Sequence, residues 1–169
     1  MPDPADELID VVDDDDRVVE QRPRAEVRRH NLTHRSVYIL VFNGAGELFV
    51  HRRTTTKDVY PGYYDVAIGG VVGAGEGYGD AAARELREEL GIAGGALEPL
   101  FSIRYRDTTT AVNGMVFRCV HDGPFVLQAA EIVSGEFLPT TVVEDRMRHE
   151  RFCPDGGAVL ARYRMSQKS

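Results

Sequence analysis

Glu85, Glu88 and Glu89 are the first residues in this sequence whose type and spacing can do chemistry. They lie in Arg84-Glu85-Leu86-Arg87-Glu88-Glu89-Leu90-Gly91-Ile92. At about 100° per residue, positions i, i+3 and i+4 fall on one face of a helix. Ala82, Ala83, Leu86 and Leu90 fall on another, which can pack against a sheet. Solvated like charges at this spacing repel by roughly a few tenths of a kcal/mol per pair, partly offset here by Arg84 and Arg87. A salt-bridged surface helix is therefore one reading. The other is a hard-oxygen site suited to Mg²⁺ or Mn²⁺. A glycine turn at Gly69-Gly70 favours it, because backbone carbonyls freed there can add a ligand.

The elements that must position these groups follow from patterning. Glu7 to Val12 and Arg17 to Glu20 flank the acidic run Asp13 to Asp16, which reads as a hairpin turn or, less simply, as a metal-binding loop. Pro23 opens a short basic helix carrying Arg24, Arg28 and Arg29. Val37 to Phe42, apolar on both alternating faces, predicts a central strand, and Glu47 to His51 its return after Asn43-Gly44-Ala45-Gly46. Tyr63 to Val72 reads as extended chain broken at Gly69-Gly70. The clearest helix is Gly79 to Leu90, closed by Gly91. Strands are expected near Phe101 to Arg106, Gly114 to Val120 and Glu136 to Leu138, then helices from Pro139 to about His149 and from about Gly156 to Arg164. Strands, one central helix, more strands and then helices describe an α+β fold.

Composition narrows the function. The 169 residues suit a single domain, 1–169, with an N-terminal hairpin and short helix inside 1–30. Hydrophobic residues at 43% and charged residues at 28% describe a globular chain. Two cysteines are too few for a disulfide framework. The acidic N-terminus does not read as a secretory signal, and the longest strongly apolar run is too short to span a bilayer. A soluble, cytoplasmic protein is expected. A net charge of −7, from 20 Lys and Arg against 27 Asp and Glu, argues against nucleic acid or an anionic membrane as partner. An anionic substrate would then need a cation to mediate.

The pattern G-x5-E-x7-R-E-U-x-E-E-x-G-U, with U aliphatic, is the signature of the Nudix hydrolases, and residues 69–92 carry it. Gly70, Glu76, Arg84, Glu85, Leu86, Glu88, Glu89, Gly91 and Ile92 match every defined position. Chance would give such a match on the order of 10⁻⁹ times per window. The resemblance implies a mixed β-sheet sandwiched between α-helices (α/β/α) and a Mg²⁺- or Mn²⁺-dependent pyrophosphohydrolase. Its substrate would be a small-molecule diphosphate of nucleotide type, a nucleoside di- or triphosphate or a derivative. It further implies that Glu88 and Glu89 hold metal with the Gly69 carbonyl. Glu85 would be a further ligand or the base for water, Arg84 would brace the carboxylates, and Glu76 would tie the loop to the helix. Gly77 stands where many members place a capping Ser.

A second resemblance, to isopentenyl-diphosphate isomerase and its hydrolase relatives, extends from about Asp10 to Leu138. It runs through His34 to Asn43 and through Arg52-Arg53-Thr-Thr-Thr-Lys57-Asp-Val-Tyr60-Pro61-Gly62-Tyr63-Tyr64-Asp65. It implies that Arg53 and Lys57 contact the diphosphate; a solvated basic loop is the alternative, and neither cation is expected to matter to stability. The isomerase reaction itself is disfavoured. Gly69 stands where that enzyme has its catalytic cysteine, Val71 where it has a metal-binding histidine, and Glu85 where it has an arginine.

A distal acid often completes such sites, and Glu131 is preferred here over Glu136. His30 and His34, four apart, are a weaker candidate pair for a metal. Tyr60, Tyr63 and Tyr64 can stack on a base or simply pack. Cys119 reads as core and Cys153 as an inert thiol. A hydrolase is favoured over a catalytically idle nucleotide-binding module, since a sensor has no need of all three helix carboxylates. Whether the chain forms a homodimer stays open.

Overall fold

The computed structural model describes residues 3–168; residues 1, 2 and 169, which the expected 1–169 domain includes, lie outside the described residues. A short 3-10 turn, Pro4–Asp6, leads into β1 (Leu8–Val12) and β2 (Val18–Pro23), then α1 (Arg24–His30). Next come β3 (His34–Phe42), β4 (Leu48–Arg53), β5 (Tyr64–Asp65), β6 (Ile68–Val71) and α2 (Tyr78–Leu90). The chain continues through β7 (Glu98–Arg106), β8 (Ala111–Val120), β9 (Ile132–Leu138), α3 (Thr140–Arg146) and α4 (Pro154–Ser166). The result is a mixed sheet with helices on both faces.

Strand β3 is the hub. It runs parallel to β8 over its whole length, antiparallel to β6 over Ser36 to Ile39, and meets β1 and β4 at its ends. Alternation along β3 assigns the faces. Val37, Ile39 and Val41 pack with Ala81, Ala82, Leu86 and Leu90 of α2. Tyr38, Leu40 and Phe42 pack with Val143 of α3 and with Val159, Leu160 and Tyr163 of α4. A strand buried on both sides is what its unbroken apolar run predicts. A third cluster, Ile9, Val11, Val27 and Val71, joins the N-terminal hairpin and α1 to β6.

The largest departure concerns Gly69 and Gly70. They do not break the chain but lie inside β6, opposite Tyr38 and Val37. A Cβ at position 69 would sit 1.9 Å from the Val37 carbonyl oxygen, so glycine here serves close strand approach. Several elements also begin earlier than patterning suggests. Pairing extends β8 back to Val112 along β3 and to Ala111 along β7, and β9 back to Ile132 along β4. Helix α3 stops at Arg146, after which Arg148 and His149 donate to carbonyls three residues back in turn geometry. On α2, Ala81 rather than Ala83 joins the buried face, and Ala83 is exposed.

Candidate active site

Helix α2 is set by both its ends. Gly91 adopts the left-handed conformation (φ 70°) and donates to the carbonyl of Arg87, as a glycine C-terminal cap does. Beyond it the chain returns alongside: Val126 donates to the Leu90 carbonyl and Gln128 to that of Glu89, at 3.0 and 3.1 Å. This return places Glu131 over the carboxylate face. At the other end, the Gly73 N–H donates to Glu76 Oε1 at 3.0 Å and the Gly75 N–H to Asp10 Oδ2 at 3.0 Å. The N-terminal hairpin therefore holds the loop that precedes α2.

Arg84 is the hub of the acidic site. It donates from Nε and Nη2 to the two oxygens of Glu76, both at 2.9 Å, from Nη1 to Glu85 (2.8 Å) and Glu88 (3.2 Å), and from Nη2 to the Val71 carbonyl (3.2 Å). Hydrogen bonding to Arg84 holds the Glu76 carboxyl below its usual range. The carboxylate face is split: Glu85 and Glu89 are buried and Glu88 is exposed. Burial pushes the Glu85 carboxyl up and Glu89 well up, the latter also through the neighbouring charge of Glu85. Among the described residues no side-chain donor reaches the Glu89 carboxylate within hydrogen-bond distance. Gly70 makes the room, since a Cβ there would lie 2.6 Å from Glu85 Oε1.

These groups line one open cavity of about 380 Å³ that gathers Gly69, Gly70, Glu85, Glu88 and Glu89 with Lys57 and Glu131. Lys57 is ion-paired to Glu131, and the Thr54 N–H and hydroxyl bond the carbonyls of Glu131 and Ala130, which ties the two loops together. Glu136 lies elsewhere, on β9, paired to Arg146 at 3.4 Å.

For Arg53 the structure removes the alternative reading. It is not a solvated loop cation: its side chain is 16% exposed, Nη2 donates to the Val59 carbonyl at 2.8 Å, and Nη1 stands 4.0 Å from Asp65. The reason is topological, because β5 pairs with β4 and brings Asp65 beside it.

Other candidates resolve by geometry. His30 is exposed, whereas His34 is buried with Nδ1 2.9 Å from the Leu32 carbonyl, so the two do not face one point. The acidic hairpin tip is structural. Asp13 accepts from the N–H groups of Asp15 and Arg17, and Asp16 binds Arg35 and Tyr78. Tyr60 bonds Asp107 and packs on Tyr63, while Tyr64 stacks on Phe152. Both cysteines are buried and unbridged.

One position escaped the sequence reading, and another was read only as part of a basic helix. Asp10 is a buried polar residue in an otherwise apolar strand, a signal that was present in Leu-Ile-Asp-Val-Val. Arg24 also lines the cavity mouth, where it meets Asp58 at 3.3 Å and Glu7 at 3.8 Å.

A mixed sheet between helices, with an acidic helix packed over a glycine strand, is the architecture of a Nudix domain. The family model of that domain matches residues 32–155. The chain is 45% identical to the Nudix hydrolase PA4841 of Pseudomonas aeruginosa over 157 residues, covering 93% of each. It is 43% identical to the Nudix hydrolase SCO1686 of Streptomyces coelicolor over 162 residues, 95% of this chain and 90% of that one. The crystal structure of DR0079 from Deinococcus radiodurans superposes with a TM-score of 0.81 at 29% identity, over 92% of this chain and 98% of that one. The chain belongs to the Nudix hydrolases, which act on phosphoric anhydride bonds. Among the described residues no helix is long and apolar enough to cross a membrane.

Proposed function

We propose that the chain acts as one Nudix unit that hydrolyses a diphosphate linkage in a nucleotide-type small molecule, with Mg²⁺ or Mn²⁺. The observation that carries this reading is Glu89, a buried carboxylate in a cavity it shares with Glu85, Glu88 and Glu131. Buried charges are paired or coordinate metals, and Glu89 has no pairing cation in hydrogen-bond contact among the described residues. The chemistry of the donors, all hard oxygens, fits a small divalent ion. Among the described residues no three acidic, His or Cys side chains are already gathered around one point, so Glu85 and Glu88 must turn from Arg84 to ligate.

In this reading Glu85, Glu88 and Glu89 hold the ion with the Gly69 carbonyl. The ion, when bound, neutralises phosphate charge and lowers the pKa of a coordinated water. Arg84 keeps Glu85 and Glu88 on one side of the cavity, and Glu85 is a further ligand or takes the proton of the attacking water. Lys57 supplies a cation to a phosphate oxygen once it releases Glu131, and Glu131 is then the distal acid. Arg53 sets the wall behind Lys57. Isomerisation of an isopentenyl-type diphosphate through a cysteine at position 69 has no support, because that position admits no side chain without moving β3.

The test is phosphate release from nucleoside di- and triphosphates and dinucleoside polyphosphates with Mg²⁺ or Mn²⁺. Turnover that needs the cation is expected. No turnover across the panel would contradict the reading and favour a binding module.

A further inference from the structure

Strand β1 reads Leu-Ile-Asp-Val-Val, and its Asp10 is only 5% exposed. Burying a carboxylate is costly unless its oxygens are bonded. Each oxygen of Asp10 has one donor, and neither donor is a cation. The Gln21 amide of β2 donates to Oδ1 and the Gly75 N–H to Oδ2, both at 3.0 Å. Arg35, whose charge reaches Asp10, is itself bound to Asp16 at 3.0 Å. Val12, two residues on and on the same face of the strand, is apolar and buried, so packing alone does not call for a carboxylate at position 10. Gly75 and Gln21 are both exposed, so water could serve either donor in its place. The bond to Gly75 therefore fixes a position rather than satisfying an orphaned group.

What is positioned is the loop between β6 and α2. The Ala74 N–H donates to the Leu8 carbonyl at 3.2 Å, so β1 holds two successive amides of that loop. The next residue is Glu76, whose carboxylate takes the Gly73 N–H and the Nε and Nη2 of Arg84. Arg84 in turn binds Glu85 and Glu88. A run of bonds thus leads from the N-terminal hairpin, through the loop and Arg84, to the carboxylates that face the cavity. Asp10 precedes residue 32, where the matched Nudix domain begins, so the hold comes from outside that domain's own box.

We propose that Asp10 is a positioning residue for the metal-binding carboxylates. By holding the Gly75 amide it sets Glu76 and Arg84, and through Arg84 the posture of Glu85 and Glu88. The proposal rests on the hydrolase reading for the ion those carboxylates await.

Two variants at this position separate positioning from folding. Asp10→Leu puts an apolar side chain of similar shape in place of a buried charge, an exchange that leaves stability unchanged or raises it. Asp10→Asn also removes the charge but keeps an acceptor for the Gly75 N–H, because the Gln21 amide can turn to accept from the new amide group. Mn²⁺ affinity, followed by loss of the free-ion electron paramagnetic resonance signal, is expected to fall about tenfold in Asp10→Leu and to stay within about threefold of wild type in Asp10→Asn. The Tm of Asp10→Leu should be no lower than that of Asp10→Asn. Asp10→Ala removes the same bond and replaces Asp10→Leu if that variant does not fold. Saturable binding of equal strength in wild type and Asp10→Leu would overturn the proposal and leave the hydrolase reading standing. So would equal losses in the two variants, which would assign the effect to charge, or a loss that follows a fall in Tm, which would make Asp10 a residue of the fold. No Mn²⁺ binding by the wild-type protein would refute the reading and the proposal together.

Discussion

The cavity beneath α2 and the smaller chamber beside it, walled by Tyr38, Arg53, Asp65 and Asp155, both bury carboxylates, yet they treat the charge in opposite ways. Under α2 one arginine faces the problem: Arg84 binds Glu76, Glu85 and Glu88 at 2.8 to 3.2 Å, and Glu89 has no hydrogen-bonding side chain among the described residues. In the chamber the nearest cation, Arg53, stays 4.0 Å from Asp65, and neutral donors satisfy most of the remaining oxygens. The first arrangement suits a mobile cation that arrives with substrate. The second leaves a buried donor, Arg53 Nε, without a partner among the described residues.

Four substitutions break or sharpen that contrast. Glu89→Gln keeps the shape but removes the charge that awaits the ion, so kcat should fall by at least ~10²-fold with little change in Tm. A folded variant with near wild-type turnover would erase the distinction between the two cavities. Arg53→Ala leaves Asp65 buried without its cation and the Val59 carbonyl without its donor. It should cost about 3 kcal/mol, or roughly 6–12 °C of Tm. Lys57→Ala should move Tm by only about 1–2 °C, because its ion pair with Glu131 faces the open cavity. Equal melting temperatures for the two alanine variants would return Arg53 to the solvated-loop reading that stood as the alternative to diphosphate contact.

Glu76→Gln weakens the hold of Arg84 on the loop before α2. A loss of about 1–2 kcal/mol is expected, seen in thermal melts as roughly 2–8 °C, with kcat falling much less than in Glu89→Gln. The smallest effect concerns pH. Burial, reinforced by the charges of Arg53 and Lys57, pushes His51 down to about 3 from an ordinary 6.5. Between those values the unfolded chain binds a proton that the native state refuses, so stability is complete above about pH 6.5 and declines as pH falls toward 3. His51→Phe removes that proton, and Tm should then decline less steeply from pH 6.5 to 4. An unchanged slope would remove His51 from the account.

The two regions also differ in how they could be read before folding. The α2 site was legible because Gly70, Glu76, Arg84, Glu85, Glu88 and Glu89 lie within one short stretch, and helical periodicity brings the carboxylates together. The resemblance gave Glu76 the role of tying the loop to the helix, and its hydrogen bonds run to Arg84 of α2 and to the Gly73 N–H of that loop. Burial on alternate faces of β3 was equally legible from its apolar run. The chamber was not, because Tyr38, Arg53, Asp65 and Asp155 come from β3, β4, β5 and α4 and meet only through sheet pairing and the docking of α4. Asp10 escaped notice because its partner, the Gly75 N–H, lies far along the chain. Gly69-Gly70 was misread as a break, since close strand approach and turn-making demand the same residue.

The central claim is that the α2 cavity holds a divalent cation through Glu89. Titration of Mn²⁺ into the protein, followed by loss of the free-ion electron paramagnetic resonance signal, tests it without requiring any substrate. Saturable binding is expected in the wild-type protein, with affinity at least ~10-fold weaker in Glu89→Gln. Equal binding by the two, or none by the wild type, would contradict the account.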